Sequence, residues 1–230
     1  YFQNYTNTYM PFDQFKNYIS QVLSVPDIVE ISISTRPDCI CDDYLEFLAE
    51  FGDKNHIGIN IELGLQTVNY HTLKKINRGH GLAEYIDSVL RIKKYPMTLC
   101  THLILNLPWD TMDDVIEMSK FISVLPTDIV KLHSLYIARN SVMAGQYLAH
   151  EFSVCSKEEY LERVKTFLEY LKPDIAVERL FSRIPENDAI FSNWETSWWK
   201  LNEMLNQLMS VSGSVQGCKY NYTNGPRIRF

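Results

Sequence analysis

The run from Ile59 to Gln66 constrains this chain more than any other stretch. Ile59, Ile61, Leu63 and Leu65 alternate with Asn60, Glu62, Gly64 and Gln66, the period-two pattern of a strand with one apolar and one polar face. Such a strand usually belongs to an antiparallel sheet with one side in water, because parallel strands read as continuous apolar runs. The rest of the chain argues otherwise. Strand-like runs alternate with helical ones throughout, which predicts parallel strands joined by crossover helices. The polar face must then be enclosed, and a closed or nearly closed barrel encloses it. Apolar residues point out to the helices and polar ones into a lumen that holds a ligand.

In chain order the spacing predicts a strand over Tyr1 to Tyr5, a helix over Phe12 to Leu23, and a strand over Ile28 to Ser34 that ends before Pro37. Asp42 or Asp43 caps the next helix, which stops at Gly52. After the central strand come a helix over Asn69 to Ile76, a corner over Asn77 to His80, and a helix to Lys94. A strand over Leu99 to Leu105, a helix over Asp113 to Leu125 and a strand over Asp128 to Tyr136 follow. The chain closes with a helix over Lys157 to Leu171, a short strand over Ala176 to Leu180 and a helix over Trp198 to Met209. Trp194, Trp198 and Trp199 are expected to pack that last helix over the barrel.

At 230 residues, 46% apolar and 22% charged, the chain has ample material for one globular α/β core. A net charge of −6 argues against a surface built mainly for nucleic acid. The basic clusters Lys74, Lys75, Arg78 and Arg91, Lys93, Lys94 read as solvated helix faces. Cys39, Cys41, Cys100, Cys155 and Cys218 are odd in number and lack framework spacing, which predicts reduced thiols and a cytoplasmic protein. Cys39 and Cys41, two apart, do not have the spacing of a zinc pair. No apolar run approaches a membrane span, so no membrane partner is expected. The opening residues YFQNY read as the inside of a strand, which predicts that the natural protein begins further upstream.

Four strands carry a polar inner face: Ser32 and Ser34; Glu62 and Gln66; His102 and Asn106; Lys131 and His133. Parallel and adjacent, these faces converge on a polar pocket at the strands' carboxyl ends. Singly, each residue also reads as a satisfied buried polar group. Together, Glu62, Gln66, His102, Lys131 and His133 in one lumen cost several kcal/mol of desolvation unless a polar ligand or one another satisfy them. Arg78 follows Gln66 by twelve residues. It either returns to the barrel mouth to pair with a carboxylate or ends its helix as an exposed cation; the spacing allows both. Neither GxGxxG nor GxxxxGK occurs, so no phosphate loop is expected.

Taken as motifs, Glu62-Leu-Gly-Leu-Gln66, then Thr72-Leu-Lys-Lys-Ile-Asn-Arg-Gly-His80, then His102-Leu-Ile-Leu-Asn-Leu-Pro108 resemble radical S-adenosylmethionine enzymes of the Elp3-like superfamily. TNTY at Thr6 to Tyr9, TRPDC at Thr35 to Cys39, KLH at Lys131 to His133, and the late Gln216, Gly217 and Tyr220 extend the resemblance to the YtqA/YhcC-type subgroup over nearly the whole chain. The resemblance implies a partial (β/α)6 TIM-like barrel over 1–185, with a helical extension over 186–230 packing on it. It implies S-adenosylmethionine and a 4Fe-4S cluster at the strands' carboxyl ends, the cluster cleaving the sulfonium to methionine and a 5′-deoxyadenosyl radical that abstracts hydrogen from substrate. By motif, Gln66 and His102 face the ribose and Arg78 the methionine carboxylate, while Ser34 and Arg36 touch the cofactor from the strand end. Thr6 and Asn7 match the segment that meets the methionine amino group through backbone. Glu62 joins this cofactor-binding set, and Lys131 and His133 are the expected catalytic residues. The implied partners are a tRNA wobble uridine as substrate and an electron donor such as flavodoxin or ferredoxin.

The pattern departs from the family at the cluster. The resemblance implies three cysteines in a CxxxCxxC loop after the first strand, and this chain contains no such run. The chain therefore reads as a barrel lacking its first β/α unit, which predicts that this polypeptide alone does not hold the cluster. Asn106 and Trp109 stand where glycines are usual, and Asp110 where Glu is usual. Two other readings remain open: a barrel hydrolase with a divalent metal on His102, His133 and Glu62, and a non-catalytic binding remnant.

Overall fold

The computed structural model describes residues 1–2, 6–183 and 188–223. Its elements run α1 (Phe12–Ser20), β1 (Glu30–Thr35), α2 (Asp42–Asn55), β2 (Gly58–Gln66), α3 (Tyr70–Lys75), α4 (Leu82–Ile92), β3 (Thr98–Ile104), α5 (Met112–Val124), β4 (Ile129–His133), β5 (Tyr136–Ala138), α6 (Val142–Leu148), α7 (Lys157–Tyr170), β6 (Ala176–Arg179), β7 (Ala189–Ser192) and α8 (Trp198–Ser212). Five strands lie side by side in the order β1-β2-β3-β4-β6, every neighbouring pair parallel. Phe2 adds a parallel bridge to Ile33 on the free edge of β1. Residues 3–5 of the strand expected over Tyr1 to Tyr5 lie outside the described residues. Strands alternating with helices around one parallel sheet make this an α/β fold of the partial TIM-like barrel kind.

The apolar half of each alternating run explains the packing. Ile31, Ile33, Ile59, Ile61, Leu63, Leu65, Leu99, Leu103, Val130 and Leu132 join one core with Phe15, Ile19, Leu45, Leu48, Val89, Val115, Met118 and Ile122 from the helices. Each such side chain contributes about 1.5–3 kcal/mol when removed from water. Both faces of β2 are buried from Ile59 to Leu65, so the polar half of that strand is enclosed, as the alternation required.

Several expectations change at the element ends. α2 does not stop at Gly52 but continues to Asn55, with His56 closing it at φ 55°. Gly52 is instead a close-packing position, because a Cβ there would lie 2.8 Å from the Ile57 carbonyl oxygen and 3.0 Å from Ile59 Cγ1. The cap residue is Cys41, and Asp42 and Asp43 sit in the first turn, where carboxylates complement the helix dipole. The single strand expected over Asp128 to Tyr136 is two. β4 ends at His133 and β5 leaves the main sheet to pair antiparallel with β7. Ser134 makes the break: its hydroxyl donates to Asn193 Oδ1 and its carbonyl accepts from the Ser182 hydroxyl. The short helix α6, capped by Ser141, had no periodicity long enough to announce it. Trp194 packs as expected, donating to the Cys155 carbonyl at 2.8 Å and lying against Tyr160 and Phe191. Trp198 and Trp199 do not: they are 39% and 60% exposed. All five cysteines are free thiols. Among the described residues no helix is long and apolar enough to cross a membrane.

Candidate functional site

Register assembles the site. Ser34, Glu62 and Cys100 face one another across β1, β2 and β3, and Gly64, His102, Lys131 and Arg179 do so across β2, β3, β4 and β6. Parallel strands lie about 4.8 Å apart, so polar side chains on these two rows reach one another inside the sheet's curve.

Glu62 is the hub. Its Oε1 accepts from Lys131 Nζ at 2.7 Å, and its Oε2 meets His102 Nε2 at 2.8 Å and Ser34 Oγ at 3.1 Å. Tyr1 donates its hydroxyl to the same oxygen. Burial alone would raise the Glu62 pKa, but the hydrogen bonds from His102, Lys131 and Tyr1 outweigh it and hold the carboxyl well below the usual range. Burial would likewise lower Lys131, and its bonds to Glu62 and Glu178 raise it instead, so the pair is ionised. A buried ion pair survives only with such further hydrogen bonds. His133 Nε2 lies 3.3 Å from His102 Nδ1. Burial, with the neighbouring charges of His102, Arg179 and Lys131, lowers the His133 pKa to about 3, which keeps that ring neutral.

Two glycines let the arginine corners close over this network. A Cβ on Gly64 would stand 2.4 Å from an Arg78 guanidinium nitrogen, and that guanidinium donates to the Gly64 carbonyl at 2.8 Å and to His80 Nε2 at 3.0 Å. Arg78 thus returns to the barrel mouth, but its partner in the protein is a backbone carbonyl rather than a carboxylate. Burial and the nearby charge of Arg36 lower its pKa to about 10. Gly79, at φ 79°, occupies the left-handed region. A Cβ there would meet Arg36 at 2.5 Å. Arg36 is forked onto Asp38 at 2.9 and 2.6 Å. The corner after β1 and the corner after α3 therefore interlock.

Together these groups line a cavity of about 310 Å³ at the carboxyl ends of the strands, at the lower end of the range for ligand sites. Thr6, Ser34, Arg36, Glu62, Gln66, Arg78, His102 and His133 all line it. Gln66 does so from a β-bulge at φ 76°, a sparsely populated conformation for a non-glycine residue. Asn7 serves the site indirectly. Its side-chain amide donates to the carbonyls of Phe2 and Ser34 at 2.7 and 3.0 Å, pinning the start of the chain to β1. Lys131, 2% exposed, does not line the cavity and stands behind Glu62, bonded to its Oε1. Ser32 is engaged by Asn60 at 3.2 Å, and Asn106 turns away to accept the Leu135 N–H at 2.7 Å. Sequence reasoning missed Tyr1 and Arg179, which also line the cavity. The signal for Arg179 was the alternation Val177, Arg179 in a strand whose neighbour supplies Lys131.

Glu62, Cys100 and His102 bring a potential ligand atom each within 4.8 Å of one another, the one such group among the described residues. His133 is not part of it. The Lys131 ammonium already supplies the positive charge that Glu62 faces, so a metal on this carboxylate competes with an ion pair in place. The cysteines do not suit a 4Fe-4S cluster: the one metal-ligand group among the described residues contains Cys100 alone, and burial pushes the Cys100 thiol far up, away from the thiolate such a cluster needs.

The Radical SAM superfamily model matches residues 2–122, and the Radical SAM C-terminal domain model matches residues 127–210. The chain is 33% identical over 217 residues to the uncharacterized protein YtqA of Bacillus subtilis, covering 94% of this chain and 67% of YtqA. It is 22% identical over 160 residues to a tRNA uridine(34) acetyltransferase of Methanocaldococcus infernus, covering 68% of this chain and 29% of that protein. The solved structure of Methanocaldococcus infernus Elp3 with an N-terminal deletion superposes with a TM-score of 0.70 at 21% identity, over 82% of this chain and 43% of that one; at that identity the likeness speaks to the fold alone. The chain spans about two thirds of YtqA and less than half of Elp3. With a parallel sheet whose polar residues meet at its carboxyl end and a family model covering more than half its length, this chain belongs to the radical SAM superfamily.

Proposed function

We propose that the cavity holds S-adenosylmethionine, and that the chain is the cofactor- and substrate-holding part of a radical SAM enzyme that modifies a tRNA wobble uridine. The observation that carries the cofactor reading is Arg78. It is half-buried, lines the cavity and has no carboxylate within ion-pair distance among the described residues. A ligand carboxylate supplies the missing charge, and a guanidinium binds it with a planar fork. Gln66, His102 and Ser34 offer hydrogen-bonding groups for ribose hydroxyls, while Thr6 and Arg36 close the strand-end side. Of the two residues expected to be catalytic, His133 faces the cavity as a neutral base beside His102, and Lys131 is a positioning residue that fixes Glu62. The superfamily's cluster is an electron source that this chain's cysteines do not accommodate, so the residues present account for binding and orientation and not for reduction. A small electron-transfer protein of the flavodoxin or ferredoxin type fits as the outside reductant. The tRNA substrate rests on the likeness to the tRNA uridine(34) acetyltransferase.

Isothermal titration with S-adenosylhomocysteine, the cofactor's stable analogue, tests the reading without need of a cluster. Micromolar binding by the folded chain is expected, with Arg78→Ala weakening it about tenfold or more, the scale of one charge-assisted pair at about 1.5–3 kcal/mol. A folded chain that binds no analogue at millimolar concentration overturns it.

A further inference from the structure

Two arginines away from the cavity carry carboxylates: Arg91 meets Asp87 at 2.8 Å and Arg163 meets Glu159 at 2.8 Å. Arg179 and Arg183 do not. Among the described residues neither has a carboxylate within ion-pair distance, although Arg179 lines the cavity from the β6 edge. Glu178, next to Arg179 in the chain, is bound to Lys131 at 3.0 Å instead. Arg179 also lines a second cavity of about 110 Å³, shared with Arg183, Trp198 and Asn202. In it the Arg183 guanidinium lies 3.9 Å over the Trp198 ring, and Trp198 and its neighbour Trp199 are exposed rather than packed.

Arg78 reaches the cavity from the β2 side and suffices for one ligand carboxylate. On the β6 side two guanidinium groups then lie without a carboxylate partner among the described residues, with an aromatic face beside them. A small carboxylate substrate would match one arginine and leave the other, stacked on Trp198, without an anion. A polynucleotide matches both, because phosphates pair with guanidinium forks and bases stack on aromatic faces whatever their sequence. We propose that Arg179, Arg183 and Trp198 form the substrate side of the site, binding the phosphate and base of a single-stranded segment of RNA that leads into the cavity. This deepens the reading of the cavity as a radical SAM site and depends on it for what happens to the bound nucleotide. It also places the nucleic-acid contact on a local basic and aromatic patch, compatible with a net charge of −6 over the chain.

The test is fluorescence anisotropy of the full chain with a fluorescein-labelled single-stranded RNA of about twelve nucleotides, from 50 to 200 mM KCl, roughly one OB-fold site in length. Arg179→Ala and Arg183→Ala are each expected to weaken binding about tenfold and to reduce the salt slope by about 0.7, the share of one single-strand phosphate contact. Arg179→Lys should restore most of the salt-dependent affinity, and Trp198→Ala should weaken binding about tenfold with the slope unchanged. Lys54→Ala, an equal loss of charge at the far end of α2, should leave affinity within twofold. Equal binding by wild type and the two arginine variants overturns the proposal, as does an equal loss with Lys54→Ala. So does binding no tighter than that of a polyglutamate peptide of matched charge, which assigns the anion to a carboxylate. S-Adenosylhomocysteine titrated in parallel separates the two readings. Analogue binding without RNA binding sinks this inference alone, and absent analogue binding sinks the cofactor reading.

Discussion

Two glutamates in this protein are buried to nearly the same degree, Glu62 at 3% and Glu169 at 5% exposed, and they do different things. Glu169, on α7, is closed off by its own chain: Lys219 and Ser214 take its two oxygens, and the Lys219 backbone N–H bonds the Glu169 carbonyl at 2.8 Å. It latches the segment after α8 to the barrel. Glu62 gathers Lys131, His102, Ser34 and Tyr1 from four other parts of the chain, and most of these face a cavity. For both, burial raises the pKa and hydrogen bonds more than reverse it. A buried ionised carboxylate is therefore not in itself a sign of function. What separates the two is where the partners point, since only those of Glu62 leave donors and acceptors open to a ligand.

The largest test of this contrast is removal of each charge. Glu62→Gln strands a Lys131 ammonium that is 2% exposed, with only the half-exposed Glu178 to answer it. A loss of about 3–5 kcal/mol in urea unfolding at pH 7 is expected, the cost of breaking a buried pair from one side. A loss below about 1 kcal/mol, the usual worth of an exposed pair, would equate the two sites.

The acid limb of stability sharpens the same contrast. Glu62 has a folded pKa below its ordinary 4.5, so its contribution is complete above that value and drains away as the pH falls further. His133 is lowered from 6.5 to about 3. The unfolded chain takes up that proton first, so this contribution is complete above pH 6.5 and is lost as the pH falls toward 3. Denaturation midpoints between pH 6.5 and 4.5 should therefore flatten in His133→Asn, whereas Glu62→Gln should flatten them below pH 4.5. An unchanged profile in His133→Asn would mean that the ring is charged in the fold.

Smaller effects follow. Glu169→Gln should cost about 1 kcal/mol, because Lys219 is half exposed and rehydrates when its partner is lost. Ser34→Ala should cost less than about 1 kcal/mol in stability, because Glu62 keeps three other donors. Thermal melting of both, beside the analogue titration, distinguishes them: only the Ser34 change should also alter ligand affinity.

Alternation along Ile59 to Gln66, Leu99 to Leu105 and Val130 to His133 was sufficient to place β2, β3 and β4 and to assign Glu62, His102 and Lys131 to one enclosed face, because a strand's side-chain period is local. The corner motifs were equally legible, Asn77 to His80 above all, since a left-handed glycine and a close guanidinium leave a mark in composition. Everything that depended on a distant partner was decided by the tertiary structure. Asn106 has the right parity for the lumen yet serves Leu135, Arg78 takes the barrel mouth, one of the two places its spacing allowed, and bonds the Gly64 carbonyl there, and β5 leaves the sheet at Ser134. Trp198 and Trp199 look like core residues and remain at the surface. Tyr1 and Arg179 join the site from opposite ends of the chain. The physical reason is the same in each case. The period of a segment fixes which side chains share a face, but register and chain crossings between segments far apart in sequence decide what that face meets.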